Sequence, residues 1–288
     1  MDPLPPEAHL NFTATQPVSV AMIDHVVCWL DLLGLRERLK DAANAGTESE
    51  FVAEYLRVLT PVYTSLRAEF KDTDFQWHAF TDSIVISVPH HAAEHSEFAI
   101  GHEIFAAAEI QFRIARHGWF LRGALAIAPL YANDQFVIGT GLMRAYQLES
   151  EEAVFPRVVL DHPIKAQTVE HLGYYAEPYG SPQNNLIVID EDKRWFINYL
   201  YAPIYLDYPE EGALPLYREH RDAVVTKLSQ AADNERVRAK YQWVAAYHNW
   251  FCSHWISEEF CADLQIQGVA PRNFRQLIES PAEGEDDE

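Results

Sequence analysis

The sequence predicts an α/β (α+β) fold in which a mixed, mostly antiparallel sheet is flanked by helices and followed by a C-terminal hairpin and helical extension. Three observations predict it. Short β-branched and apolar runs alternate with stretches of helical period in the order βααββαββαβ up to about residue 172. Beyond that point the pattern changes to loop, hairpin and two long helices. Hydrophobic residues make up 48% and aromatics 12% of the 288 residues, enough apolar surface to close a core.

Residues 1–17 are Pro-rich and polar and read as a flexible arm. Residues 24–32 form an apolar run of strand length, followed by a short helix over 33–43 that Gly46 closes. Thr47 with Glu50 three residues later reads as a capping box opening a long helix, which Pro61 is expected to kink. Residues 75–80 and 84–88 are strands joined at the turn-forming Thr81-Asp82-Ser83. An amphipathic helix is expected over 92–116, with Phe98, Ile104, Phe105, Ala108, Phe112 and Ile114 toward the core. A strand pair at 119–131 and 135–138, a helix at 140–151, a strand at 157–160 and a helix from Pro163 complete the unit. A hairpin at 186–189 and 195–199 and helices at 214–232 and 234–255 follow. The chain thus divides into an arm (1–17), an α/β domain (18–172), a hairpin and long-helix extension packed on it (173–278) and an acidic tail (279–288).

Forty-three Asp and Glu against 22 Lys and Arg give a formal net charge of −21. Such a surface repels phosphate backbones and anionic headgroups, which argues against nucleic-acid or membrane binding. The apolar run at 26–35 is interrupted by Asp31 and falls short of the roughly 20 residues of a membrane span. The first residues carry neither a basic nor an apolar leader, and Cys28, Cys252 and Cys261 lack metal or redox spacing, so a cytoplasmic protein with buried free thiols is expected.

Two carboxylates stand out. Asp31 ends an otherwise apolar strand in Trp29-Leu30-Asp31-Leu32-Leu33-Gly34, where burial is costly unless the charge is paired or bound to a cation. Asp82 sits at a hairpin tip, a position that turn preference alone explains. Together they place one carboxylate on each of two adjacent central strands. Such a pair can hold hard divalent cations, and two cations so held neutralise a triphosphate and assist an in-line displacement.

The strand Cys28-Trp29-Leu30-Asp31-Leu32-Leu33-Gly34, the hairpin Phe80-Thr81-Asp82-Ser83-Ile84-Val85-Ile86-Ser87, and the runs Arg122-Gly123-Ala124-Leu125-Ala126 and Gly139-Thr140-Gly141-Leu142-Met143-Arg144-Ala145-Tyr146-Gln147-Leu148-Glu149-Ser150 resemble class III nucleotidyl cyclases. More narrowly, the chain is similar to the pyrimidine (uridylate or cytidylate) cyclases of Pycsar antiphage systems. Phe155-Pro156-Arg157-Val158-Val159 and the late helix Lys240-Tyr241-Gln242-Trp243-Val244-Ala245-Ala246-Tyr247-His248-Asn249 carry that likeness, which covers about residues 20–255. The resemblance implies a cyclase domain over 18–172. It implies that Asp31, Asp82 and the Leu32 carbonyl hold two Mn2+ or Mg2+ ions. It implies further that the 3′-hydroxyl of UTP, or alternatively CTP, attacks the α-phosphate in a site shared by two subunits of a homodimer, and that a separate effector protein reads the cyclic product.

Departures from the pattern bear on the base and on the transition state. Purine cyclases of this class read the base with a Lys and an Asp where this chain has His78 and Phe136, so His78 and Trp29 are the expected nucleotide-binding residues, with a core position for Trp29 and a strand-surface position for His78 as the ordinary alternatives. The transition-state Asn and Arg positions hold Met143 and Gln147. Either an arginine elsewhere substitutes, Arg144 first with Arg122 and Arg157 behind it, or the metals carry most of that task; the ordinary alternative for Arg144 is an exposed helix arginine making a surface pair. Two readings from other classes remain: a silent cyclase-like nucleotide-binding module, and a zinc hydrolase built on His91-Ala92-Ala93-Glu94-His95, which matches His-x-x-Glu-His but has no evident third ligand. Gly139-Thr140-Gly141 lacks the lysine of a phosphate loop and reads as a glycine turn.

Overall fold

The computed structural model describes residues 20–71, 73–91 and 96–279. The arm at 1–17, the tail beyond Glu279, and Glu94 and His95 of the histidine motif lie outside them. Strand β1 (Ile23–Leu32) leads into helices α1 (Leu35–Ala45) and α2 (Glu48–Glu69), the hairpin β2 (Gln76–Phe80) and β3 (Ser83–Pro89), and helix α3 (Ser96–Ala115). Strands β4 (Leu121–Ala132) and β5 (Val137–Gly139), helix α4 (Thr140–Glu152), strand β6 (Val158–Leu160) and helix α5 (His162–Leu172) follow. After α6 (Pro182–Leu186) come β7 (Ile187–Ile189), β8 (Trp195–Ile197), α7 (Ala202–Tyr205) and the long α8 (Glu210–Gln230) and α9 (Glu235–Trp255), then α10 (Glu258–Leu264).

Among the described residues the strands form one eight-stranded sheet in the order β2-β3-β1-β4-β6-β8-β7, with β5 on the far end of β4. β1 is central because its apolar residues are buried on both faces, and it pairs antiparallel with β3 and β4. The β4–β6 pair is parallel and the remaining pairs are antiparallel. Through β8 the C-terminal hairpin continues the same sheet rather than lying on it as a separate layer.

Period 2 along β1 divides the molecule into two faces. Val26, Cys28, Leu30 and Leu32 enter the large core, where α3 lies against β1, β3 and β4 and buried residues of α2, α8 and α9 join the same cluster. Val27 joins the smaller cluster on the opposite face, built with Val85, Ala124, Ala126 and Val159 under Ala145 and Leu148 of α4, and Trp29 packs against it. Gly141 lets α4 lie this close, since a Cβ there would stand 3.0 Å from both the Ala128 carbonyl and Val27.

Three expectations are corrected. Thr47 does not cap α2: its hydroxyl donates back to the Ala42 carbonyl, 3.4 Å away. α3 is buried nearly all round, because the sheet lies on one side and the C-terminal elements on the other, and Phe98 points outward. Of the three unpaired cysteines, Cys28 and Cys252 are buried whereas Cys261 is only partly so.

The last helices are tied together by a buried hydrogen-bond chain whose hydrogens can be placed. The Leu264 carbonyl can only accept, so His248 Nε2 donates to it at 3.1 Å. His248 Nδ1 therefore accepts from His220 Nδ1 at 3.0 Å, and His220 Nε2 accepts from the Tyr199 hydroxyl at 3.0 Å. Burial depresses both imidazole pKa values, His248 to about 4, so the pair is neutral. No helix among the described residues is long and apolar enough to cross a membrane.

Candidate active site

The site lies on the α4 face, where the strand register sets side chains in rows. In one row Asp31 of β1 stands opposite Ser83 of β3 and Arg122 of β4, and Ser83 opposite Phe80 of β2. The next row runs His78, Val85, Trp29, Ala124 and Val159 across five strands. Two residues along a strand separate these rows by about 7 Å. Gly123, between Arg122 and Ala124, permits the crossing: a Cβ there would stand 2.3 Å from the Trp29 carbonyl.

Asp82 reaches the Asp31 row because the hairpin tip is bonded to the end of β1. The Leu32 amide donates to the Asp82 carbonyl at 2.7 Å. Thr81 takes a left-handed φ of 52° to make the turn, and its hydroxyl donates to Asp82 Oδ1 at 2.8 Å. Asp31 and Asp82 then border one open cavity of about 470 Å3 with Trp29, Leu32, Arg122, Tyr146, Glu149 and Lys240.

Arg122 bridges two carboxylates. Its Nε donates to Asp31 Oδ2 at 3.0 Å and lies 2.7 Å from Glu149 Oε1, which has no aligned hydrogen-bond donor among the described residues. Burial raises the Asp31 pKa, Arg122 opposes the rise and the Asp82 charge adds to it. Glu149, whose side chain is only 3% exposed, is pushed up to about 7 by burial, against Arg122 and with help from Asp31. The ammonium of Lys240 is lowered by burial and by the cations of Arg122 and Arg236.

Carboxylates whose charge is disfavoured, by burial first and by one another second, gain from added positive charge, and oxygen donors suit hard divalent ions. Asp31, Asp82 and the backbone at Leu32 supply oxygen donors of the kind that would hold Mg2+ or Mn2+. Among the described residues no three His, Cys, Asp or Glu side chains are already gathered around one point. The pair accordingly needs oxygens from a ligand to complete any coordination shell.

Above the charges stands an aromatic wall. Trp29 meets Phe80 and Tyr146 edge-on, with ring centroids 5.8 and 5.3 Å away, and both partners are exposed. A flat apolar ligand can lie against it.

Of the residues singled out from the sequence, Trp29, Asp31, Leu32 and Asp82 are brought together. His78 shares a row with Trp29 but is turned to the β4–β5 connection, where its Nε2 donates to the Asn133 carbonyl at 2.8 Å. Arg144 lies outside the cavity and grips Asp161 through two hydrogen bonds of 2.9 and 2.8 Å. Arg157 is sealed beneath the hairpin on Asp190 and Asp192. Among the described residues Arg122 is the arginine within ion-pair reach of Asp31 and Glu149, and Arg36 also borders the cavity. His91 is exposed at a separate, mostly apolar cavity of about 520 Å3 beside Phe98 and His102.

Glu149, Lys240, Phe80 and Tyr146 were not singled out from the sequence. A signal for Glu149 was present: Gly141, Ala145 and Leu148 mark the buried stripe of α4, and Glu149 falls on it. Nothing in the order of residues links Lys240 to Asp31.

No family model matches the chain, and no curated protein does. Solved structures similar to it are class III adenylyl and guanylyl cyclases. The guanylyl cyclase Cya2 is 10% identical over 51% of this chain and 78% of its own, with a TM-score of 0.36. The adenylyl cyclase CyaB from P. aeruginosa is 12% identical over 62% of this chain and 94% of its own, TM-score 0.41. The guanylyl cyclase domain of the RhoGC fusion protein from the aquatic fungus Blastocladiella emersonii is 11% identical over 61% and 93%, TM-score 0.40. Likeness at this level carries neither the fold nor the function, both of which rest on the chain's own residues.

Proposed function

We propose that this chain is a pyrimidine nucleotidyl cyclase that converts UTP to 3′,5′-cyclic UMP and pyrophosphate. The observation that carries the reading is the convergence of Asp31 and Asp82 on one cavity with Arg122 beside them and an aromatic wall along its edge. Asp31, Asp82 and the Leu32 carbonyl would hold two Mg2+ or Mn2+ ions, which when bound supply positive charge to the phosphates and acidify the attacking hydroxyl. Arg122 can leave Asp31 or Glu149 for an α-phosphate oxygen, where its fixed fork suits developing charge. Trp29, Phe80 and Tyr146 offer the base a face to pack on and exclude water from that side. In the reaction the 3′-oxygen bonds to the α-phosphorus, the bond from that phosphorus to pyrophosphate breaks, and the hydroxyl proton passes to solvent.

UTP is favoured over purines because His78 and Phe136 stand where purine cyclases of the resembled class carry Lys and Asp; CTP is the competing substrate. The same resemblance supports a homodimer, a role in antiphage signalling and a separate effector for the product. Phe136, Ile138, Met143 and Tyr146, all exposed on β5, α4 and the turn before them, offer a second copy an apolar surface next to the cavity. Incubation of the protein with each nucleoside triphosphate and Mn2+ tests the reading. Cyclic UMP and pyrophosphate in equal amounts, abolished by a chelator, are expected. A second reading, nucleotide binding without turnover, is favoured by Met143 and Gln147, neither of which stabilises phosphoryl charge; binding of UTP with no product from any nucleotide would support it.

A further inference from the structure

Lys240 reaches the cavity from α9, far along the chain from the strands that carry the carboxylates. Among the described residues it makes no hydrogen bond and no ion pair within 4.0 Å, although Asp31 and Glu149 share its cavity. Burial and the nearby Arg122 and Arg236 press its ammonium toward neutrality, while Asp31 and Glu149 hold its charge from a distance. An ammonium at a cavity wall with no carboxylate in ion-pair reach keeps its three donors free for a ligand.

Its position is fixed by the packing of α9. Trp243, three residues on, is buried and its indole donates to Asp190 Oδ2 at 2.8 Å. Tyr241 meets Phe120, two residues before Arg122, edge-on at 5.4 Å. The turn that bears Lys240 is thereby anchored from the hairpin side and from the start of β4. The cavity has cations at three points, Arg36 in the first turn of α1, Arg122 beside Asp31 and Lys240 on the α9 wall, which suits an extended polyanion better than a single carboxylate.

We infer that Lys240 binds the terminal phosphates of the nucleoside triphosphate, so that α9 completes the anion-binding half of a site whose metal-binding half comes from the sheet. The identity of the anion rests on the cyclase reading; the presence of a Lys240-dependent phosphate site does not.

Calorimetric titration of the full chain with inorganic pyrophosphate in saturating Mn2+ tests this, alongside UTP turnover and melting temperature. Lys240→Met is expected to weaken pyrophosphate about ten- to a hundred-fold without lowering the melting temperature, and Lys240→Arg to recover most of the loss. In the unmodified protein, pyrophosphate with Mn2+ is expected to protect Lys240 from acetylation. Undetectable pyrophosphate binding, unchanged affinity in Lys240→Met, or unprotected Lys240 would overturn the inference. The two ideas fail separately. UTP turnover with pyrophosphate affinity indifferent to Lys240 removes only this one, and Lys240-dependent pyrophosphate binding in a protein that cyclises nothing removes only the cyclase reading.

Discussion

Arg157 and Arg122 stand at neighbouring strands of the sheet, and their surroundings follow opposite rules. Arg157 is wholly buried and pairs with Asp190 and Asp192; Asp190 is completed by Arg272 Nε at 2.6 Å and the Trp243 indole. Among the described residues only its Nε lacks an acceptor. Arg122 is partly exposed, serves two carboxylates at once and leaves Glu149 near neutrality and Lys240 without a partner. A charge cluster that holds a fold satisfies itself, whereas one that meets a ligand keeps positions open for it. The contrast separates the arginine that fastens the C-terminal elements from the arginine proposed to meet substrate, a distinction that residue type alone does not make.

The largest effect is expected at Arg157. Arg157→Met removes one side of a buried pair and is expected to destabilise by about 3–5 kcal/mol in urea unfolding. A cost below about 1 kcal/mol would remove its structural role.

Glu149 sharpens the other half. Its folded pKa of about 7 lies above the unfolded value of 4.5, so its contribution is fully present below pH 4.5 and is lost as pH rises to about 7. Glu149→Gln abolishes this loss. Relative to the wild type it should therefore gain on the order of 2 kcal/mol of stability between pH 4.5 and 8. Parallel pH profiles of the two proteins would contradict a carboxyl held near neutrality.

The smallest effect is expected at Arg144, whose grip on Asp161 lies partly in solvent. Arg144→Ala should cost about 0.5–1 kcal/mol and leave turnover unchanged. Abolished turnover with folding intact would bring Arg144 back as a group acting across a subunit interface.

The order of strands and helices was legible because hydrophobic period is local: residues 24–32 and 84–88 announce strands wherever they pack. Asp31 and Asp82 were legible as a pair for a related reason, since a carboxylate ending an apolar strand and another at the next hairpin tip meet once β1 and β3 are neighbours. What escaped was set by register and distance. The approach of Arg122 to Asp31 depends on the antiparallel alignment of β1 with β4, which Gly123 permits but does not announce. Lys240 depends on where α9 docks, through Trp243 and Asp190, some 200 residues from Asp31. The burial of α3 was not legible because α5, α6, α7 and α8, all later in the chain, pack against it.

The proposed reaction requires Asp31 and Asp82 to act together with divalent ions on a nucleoside triphosphate. Its most direct test is production of cyclic UMP from UTP and Mn2+ by the wild type, Asp31→Asn and Asp82→Asn, each shown to be folded by circular dichroism. Loss of product by at least about a thousand-fold in both variants is predicted, as expected when several kcal/mol of metal-assisted stabilisation is removed. Turnover that persists unchanged in either variant would contradict the account.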